Sequence, residues 1–216
     1  MTRAKDPAHK NEGRPRNVNI SNALLHAVER RVKESGFDKL TVDTIVQDAG
    51  TTRQTFYRRY PNVATTVLDL LETKYGSPIE INTSSLEDDL LSVQQGDAKM
   101  LSNPFVSKSL PGILHLASTE LEVRRRYFEV MIAPRQRIIN QIIAAAILRG
   151  EVTTGDPNPE YIRELLFSLL VARVVLPPIE PLDDLFIRRS VATAMRELGV
   201  LPRSADTLSA RSISAI

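Results

Sequence analysis

An all-α fold of about nine helices in two domains is predicted by three features of this chain. Apolar residues recur at three- and four-residue spacing through most of its length. Only nine of 216 residues are glycine, and long runs of Leu, Ile, Val, Ala, Glu and Arg favour helix over strand. Finally, Ser, Thr, Asn and Asp precede the apolar runs, while Gly and Pro close them, as helix starts and stops should.

The elements follow in order. Residues 1–17 hold almost no large apolar side chain and carry Arg3, Lys5, Lys10, Arg14 and Arg16, so a flexible basic arm is expected. Within it, Gly13–Arg16 reads either as part of a solvated tail or as an arm that lays Arg14 and Arg16 in a DNA minor groove. A first domain spans 18–78. Ile20, Leu24, Ala27, Val28 and Val32 predict a helix over Ser21–Ser35, closed by Gly36. Thr41 caps a second helix, Val42–Ala49, and Gly50 supplies the turn. Thr51 or Thr52 caps a third, ended near Tyr60 by Pro61. Asn62 caps a fourth, and Gly76, Ser77 and Pro78 break the pattern.

A second domain spans 79–200. Ser85 starts a helix whose acids suit its positive end, and Pro104 sits in the first turn of the next. A long segment from Thr119 to Arg149 contains Pro134, which should kink or split it. Asn158–Pro159 begins a helix over Tyr161–Val175 that Pro177–Pro178 ends. Pro181–Leu198 forms the last helix, and 201–216 is a frayed, Ser- and Ala-rich tail.

Composition narrows the function. With no cysteine, disulfides and thiolate metal sites are excluded, which suits a reducing cytoplasm. The polar, charged N-terminus is not a signal peptide. The longest uncharged apolar-rich run, Ile138–Leu148, is about half of what a membrane span needs, so no membrane partner is expected. Charge is uneven: residues 1–75 carry a balance of +4 and residues 76–216 a balance of −2. A basic front on a neutral to acidic body suits a module that binds a polyanion. His9, His26 and His115 are scattered, without metal-ligand spacing. Asp88–Asp89 and Asp183–Asp184 are helix neighbours that point about 100° apart, poor geometry for paired carboxylates. No phosphate-binding glycine loop or nucleophile elbow is present. The expectation is therefore no catalytic residue, no metal, no cofactor and no enzyme.

Residues 41–60 carry the chemistry: two short helices meeting at a glycine turn, a helix-turn-helix. Leu40, Ile45, Ala49, Phe56 and Tyr60 supply its framework. Arg53 and Gln54 lie in the first turn of the second helix, where side chains meet base edges; arginine pairs with guanine and glutamine with adenine. Tyr57, Arg58 and the hydroxyls of Thr41, Thr51, Thr52 and Thr55 suit phosphates, and Arg59 is placed in solvent.

Residues 14–75 resemble the N-terminal domain of the tetracycline-repressor (TetR) family of bacterial transcriptional regulators. The matching residues are Ile20, Ala23, Gly36, Phe37, Leu40, Thr41, Val42, Ile45, Ala49, Gly50, Thr55, Phe56, Tyr57 and Tyr60. The later IAPRQRII…AAILRGEV…DPNPEYIRELLFSLL is similar to one C-terminal type of that family. One departure stands out: the family's usual phosphate-gripping lysine at the start of the fourth helix is replaced by Val63.

The resemblance implies a homodimer built from the last two long helices, on a palindromic double-stranded DNA operator. Leu166, Leu169, Leu170, Val174, Phe186, Val191 and Met195 are the candidate interface. It also implies a cavity for a small-molecule effector, with Phe105, His115, Tyr127, Met131, Tyr161 and Phe167 as candidate lining. The expected function is a cytoplasmic, ligand-relieved repressor; the alternative is a constitutive or architectural DNA binder without a ligand.

Overall fold

The computed structural model describes residues 15–76, 81, 83–152, 157–176 and 182–201, with side chains from Asn19 onward. Among these residues all regular structure is helical, and no helix is long and apolar enough to cross a membrane. Internal contacts divide the chain into two units, 1–67 and 68–216, so the division falls inside one helix rather than in the Gly76–Pro78 break.

The first unit begins with α1 (Pro15–Ser35) and α2 (Val42–Asp48), joined through a single 3-10 turn at Phe37–Lys39. It continues with the short α3 (Arg53–Tyr57) and the opening of α4 (Val63–Tyr75). Leu24, Val28 and Val32 of α1, Ile45 of α2 and Phe56 of α3 are fully buried, as the helical spacing requires. α1 starts at Pro15 rather than Ser21. Proline is at home in a first helical turn because its missing N–H would have no partner there.

α2 ends in a Schellman motif. The Gly50 N–H donates to the Gln47 carbonyl (3.2 Å) and the Thr51 N–H to the Val46 carbonyl (2.9 Å), with Gly50 left-handed at φ 62°. α1 and α2 are clamped by charge as well as by packing. Asp48 receives Arg31 through Nε (2.5 Å) and Nη2 (2.7 Å), and Arg30 through Nη2 (2.6 Å). The hydrogen bonds from Arg31 hold the Asp48 carboxyl below the usual carboxylate range, against the opposing effect of burial.

The second unit takes the remainder of α4, then α5 (Leu86–Leu101), α6 (Pro104–Thr119), α7 (Leu121–Tyr127), α8 (Ala133–Leu148), α9 (Pro159–Val175) and α10 (Asp184–Glu197). Side chains of Ser85, Asn103, Asn158 and Asp183 cap α5, α6, α9 and α10. The core gathers Leu86, Leu90 and Val93 of α5, Ile139, Ile142, Ile143 and Ala146 of α8, Ile162 and Leu166 of α9, and Val191, Ala194 and Met195 of α10.

The break expected at Pro134 is a π-helical turn, Phe128–Ile132, that joins α7 to α8. Proline lacks an N–H and its ring crowds the carbonyl four residues back, so the regular ladder is interrupted just upstream. Thr119 ends α6 instead of opening the next helix, because extended backbone at Glu120 separates the two. The last helix starts after the Asp183 cap; the expected start at Pro181 and the stop at Pro177–Pro178 lie outside the described residues.

Two outcomes follow from the packing and the clamp. Leu90→Ala opens a cavity in the second unit's core and should cost about 2–5 kcal/mol, read as a lower urea midpoint with an unchanged slope. Asp48→Asn should destabilise the first unit near neutral pH. The folded-state shift is downward, so the stabilisation is complete above about pH 4 and is lost as pH falls through the folded value. The gap in thermal stability between wild type and Asp48→Asn should therefore close in acid, and a gap that persists undiminished would show that ionisation of Asp48 is not its source.

Candidate nucleic-acid interface

α3 is five residues long, too short to persist alone, and its surroundings hold it in place. At its start the Thr52 hydroxyl accepts from the Thr55 N–H (3.2 Å). In its middle Phe56 is fully buried, edge-on to Tyr57 (centroids 5.5 Å, 89°) and tilted against buried Tyr60 (5.7 Å). Thr41 closes α2 in the same way through a reciprocal capping box with Thr44.

Anchoring Phe56 inward turns the polar residues outward. Arg53, Gln54, Tyr57 and Arg58 are exposed along one short stretch, with Thr52 at its head. Thr51 and Thr55 are half-buried, and Thr41 is exposed at the start of α2. The capping hydroxyls also meet the side chains three residues on, Thr41 Oγ1 lying 3.2 Å from Thr44 Oγ1 and Thr52 Oγ1 3.1 Å from Thr55 Oγ1, so both are held in place at the helix starts.

Two arginines here have partners that the sequence alone does not announce. Arg59 is not simply solvated: Nε donates to Ser21 Oγ (3.2 Å) and Nη1 to the Thr55 carbonyl (3.1 Å), which ties α3 to α1. Arg53 is paired through both Nε and Nη2 with the two carboxylate oxygens of Asp43 on α2. That hydrogen bonding holds the Asp43 carboxyl below its ordinary range. Asp43 was overlooked because its partner stands ten residues away across the glycine turn; an acid in the first turn beside Thr41 was the available signal. Lastly, Arg14 lies outside the described residues, and Arg16 is placed only as backbone in α1.

Val63 is half-buried as the first residue of α4, which Asn62 caps by accepting from the Thr65 N–H (2.8 Å). Its side chain has no donor for phosphate.

In the second unit the candidate effector residues separate by burial. Phe105, Met131 and Phe167 are buried and Tyr127 is half-buried, whereas His115 and Tyr161 are exposed and do not line an enclosed space within this chain. Arg135 is the group on which several converge. It donates to the Met131 carbonyl (2.5 Å), stacks over the Phe167 ring (4.2 Å) and pairs with Asp97 through Nη2 (2.6 Å) and Nε (3.1 Å). Burial pushes the Asp97 carboxyl up in spite of Arg135, and burial raises the Tyr127 hydroxyl too.

The candidate interface residues also separate. Leu166, Leu170, Val191 and Met195 are buried within the chain itself, and three of them belong to its core cluster. Leu166, Val191 and Met195 pack in that cluster with residues of α5 and α8, so their burial, like that of Leu170, leaves little side chain on the surface of the chain. Leu169 is exposed, and Val174 and Phe186 are half-buried, the latter under Arg173 (4.2 Å).

Comparison with known proteins agrees with this arrangement. The tetracyclin repressor-like C-terminal domain family matches residues 80–194, more than half of the chain. The chain is 27% identical over 162 residues to an HTH-type transcriptional regulator of Mycobacterium tuberculosis, covering 74% of this chain and 79% of that one. It is 26% identical over 188 residues to the HTH-type regulator YdeS of Bacillus subtilis, covering 85% and 92%. Among solved structures, a TetR transcription regulator from Haloarcula marismortui shares the fold with a TM-score of 0.65 at 18% identity, over 86% of this chain and all of that one. A helix-turn-helix whose second helix is held by Phe56, on a chain with a tetracyclin repressor-like C-terminal domain, belongs to a member of the TetR family of transcriptional regulators.

Proposed function

We propose that this regulator is a repressor that binds a two-fold DNA operator as a homodimer and leaves it when a small-molecule effector occupies the second domain. The observation that carries the reading is the outward face of α3. Arg53, Gln54, Tyr57 and Arg58 are exposed together on a helix pinned by Phe56, Tyr60 and two threonine caps. A helix so presented fits the major groove. The site of action is the cytoplasm, where the DNA is.

Pairing is supported by a stripe on α9. Tyr161 and Leu169 are exposed at 47% and 39%, with half-buried Leu165 and exposed Ala172 on the same side of the helix, and Leu176, the extended residue just past its end, is 63% exposed. Leu185 of α10, 42% exposed, adds to the apolar surface. Large apolar side chains so exposed are costly to leave in water and suit an isologous contact between two copies. The interface expected from sequence thus shifts to Leu165, Leu169, Ala172, Leu176 and Leu185.

Effector control is supported by the surroundings of Arg135. A buried ion pair is a poor contributor to stability compared with apolar packing. Asp97–Arg135 beside Tyr127, Met131 and Phe167 gives the few polar groups in an apolar setting that small-molecule sites use. A ligand that fits one conformation better than another shifts the population away from the DNA-competent one.

Footprinting on the DNA that flanks the protein's own gene tests the whole reading: a two-fold protected site, lost on addition of an effector from a small-molecule screen, is expected. Protection that no small molecule relieves would leave a constitutive binder. Gln54→Ala should weaken binding at particular base pairs. Arg58→Ala should weaken binding to all sequences alike and lower the salt slope by about one. Leu169→Glu should give a monomer in sedimentation at micromolar concentration, whereas an unchanged dimer would place the interface elsewhere.

A further inference from the structure

Within residues 41–60 there are two acids, and both are engaged by arginine. Asp48 serves the fold, gripped by Arg30 and Arg31 of α1 with its side chain only 11% exposed. Asp43 does not. Its side chain is 59% exposed and that of Arg53 is 65% exposed, so the pair lies in water and adds little to stability. An acid on a face that meets phosphate also weakens binding to DNA in general. Its position next to the recognition helix therefore needs another reason.

The geometry supplies one. A guanidinium carries five N–H groups, one on Nε and two on each terminal nitrogen. Asp43 Oδ1 takes the Nε hydrogen and Oδ2 takes one of the Nη2 hydrogens. The two hydrogens on Nη1 and the second on Nη2 stay open, on the edge directed away from the carboxylate. That edge offers two parallel donors, the pattern that matches O6 and N7 of a guanine. The paired arginine is also electrically compensated, so it gains less from a phosphate than a free arginine would. What remains favourable for it is a directional contact with a base.

We infer that Asp43 is a specificity-determining residue: it fixes the plane of the Arg53 guanidinium so that the outer edge reads a guanine, and it discourages Arg53 from settling on phosphate. This rests on the proposed reading in which α3 enters the major groove. Arg53 would touch the base; Asp43 acts through it and is a positioning residue.

The test uses the full-length protein and a duplex that the wild type enriches from a random-sequence pool. Affinity is measured by fluorescence anisotropy on that duplex, on versions with each guanine of a half-site replaced by adenine, and on random-sequence DNA. Arg53→Ala should abolish the preference at one guanine, about ten-fold or more. Asp43→Asn should reduce the preference at that same guanine several-fold, while binding to random DNA is unchanged or tighter. In the double variant, Asp43→Asn should have no further effect at that base, and Asp43→Glu should restore part of the preference.

Because the pair is exposed, the thermal midpoint of Asp43→Asn should match wild type. If Asp43→Asn leaves the guanine preference intact while Arg53→Ala removes it, the positioning role is wrong and the DNA reading stands. An equal loss on every duplex would likewise overturn it, as a merely structural effect. If no duplex is enriched, or Arg53→Ala alters no base preference, the reading of α3 itself fails.

Discussion

Phe56 occupies the position from which the rest of the DNA-facing surface is determined. A five-residue helix has too few internal hydrogen bonds to offset the cost of ordering it. Full burial of the Phe56 ring, with Tyr60 against it, supplies the missing free energy and fixes the rotation of the helix about its own axis. Once that rotation is set, the side chains of Arg53, Gln54, Tyr57 and Arg58 have only one direction to take. The Schellman turn at Gly50 and the two threonine caps then set the angle between α2 and α3, so the recognition surface is a consequence of packing on its hidden side.

How much of this was legible in the sequence follows from the range of each interaction. Caps and stops act over three or four residues, so Thr41, Asn62, Asn158 and the Gly50 turn could be read directly. Pro134 announced an interruption, although only coordinates identify it as a π-helical turn. Contacts that join distant residues left no local trace. Arg59 reaches Ser21 across α1, and Arg53 reaches back to Asp43, and neither tie follows from periodicity. α9 illustrates the limit in another way. Its apolar residues run all round the helix, so composition alone cannot tell which leucines are buried and which meet solvent; Leu166 and Leu170 are buried and Leu169 is exposed.

The second unit solves a different problem, which is to hold charge indoors. Arg135 is satisfied on several sides at once: the Asp97 carboxylate, the Met131 carbonyl and the Phe167 ring face. Gln94 plays a similar part between helices, its amide donating to the Leu166 carbonyl (3.0 Å) and to Ser190 Oγ (3.0 Å). Arg126 does the same nearer the surface, linking α7 to Asp69 and Glu72 of α4. These polar ties each join two elements through directional bonds, which apolar packing alone does not supply.

Val63 has a consequence that concerns how the protein finds DNA. A lysine at that place would project a mobile charge toward the backbone; a half-buried valine does not. With Arg53 compensated by Asp43, the basic charge of this face rests on exposed Arg58 and on Arg59, whose hydrogen bonds to Ser21 and Thr55 go to uncharged partners. Long-range attraction to a polyanion speeds encounter and sustains sliding along it, and both weaken as that field shrinks. A valine in place of a lysine at this position trims that field by one charge, and with it the attraction to DNA of any sequence.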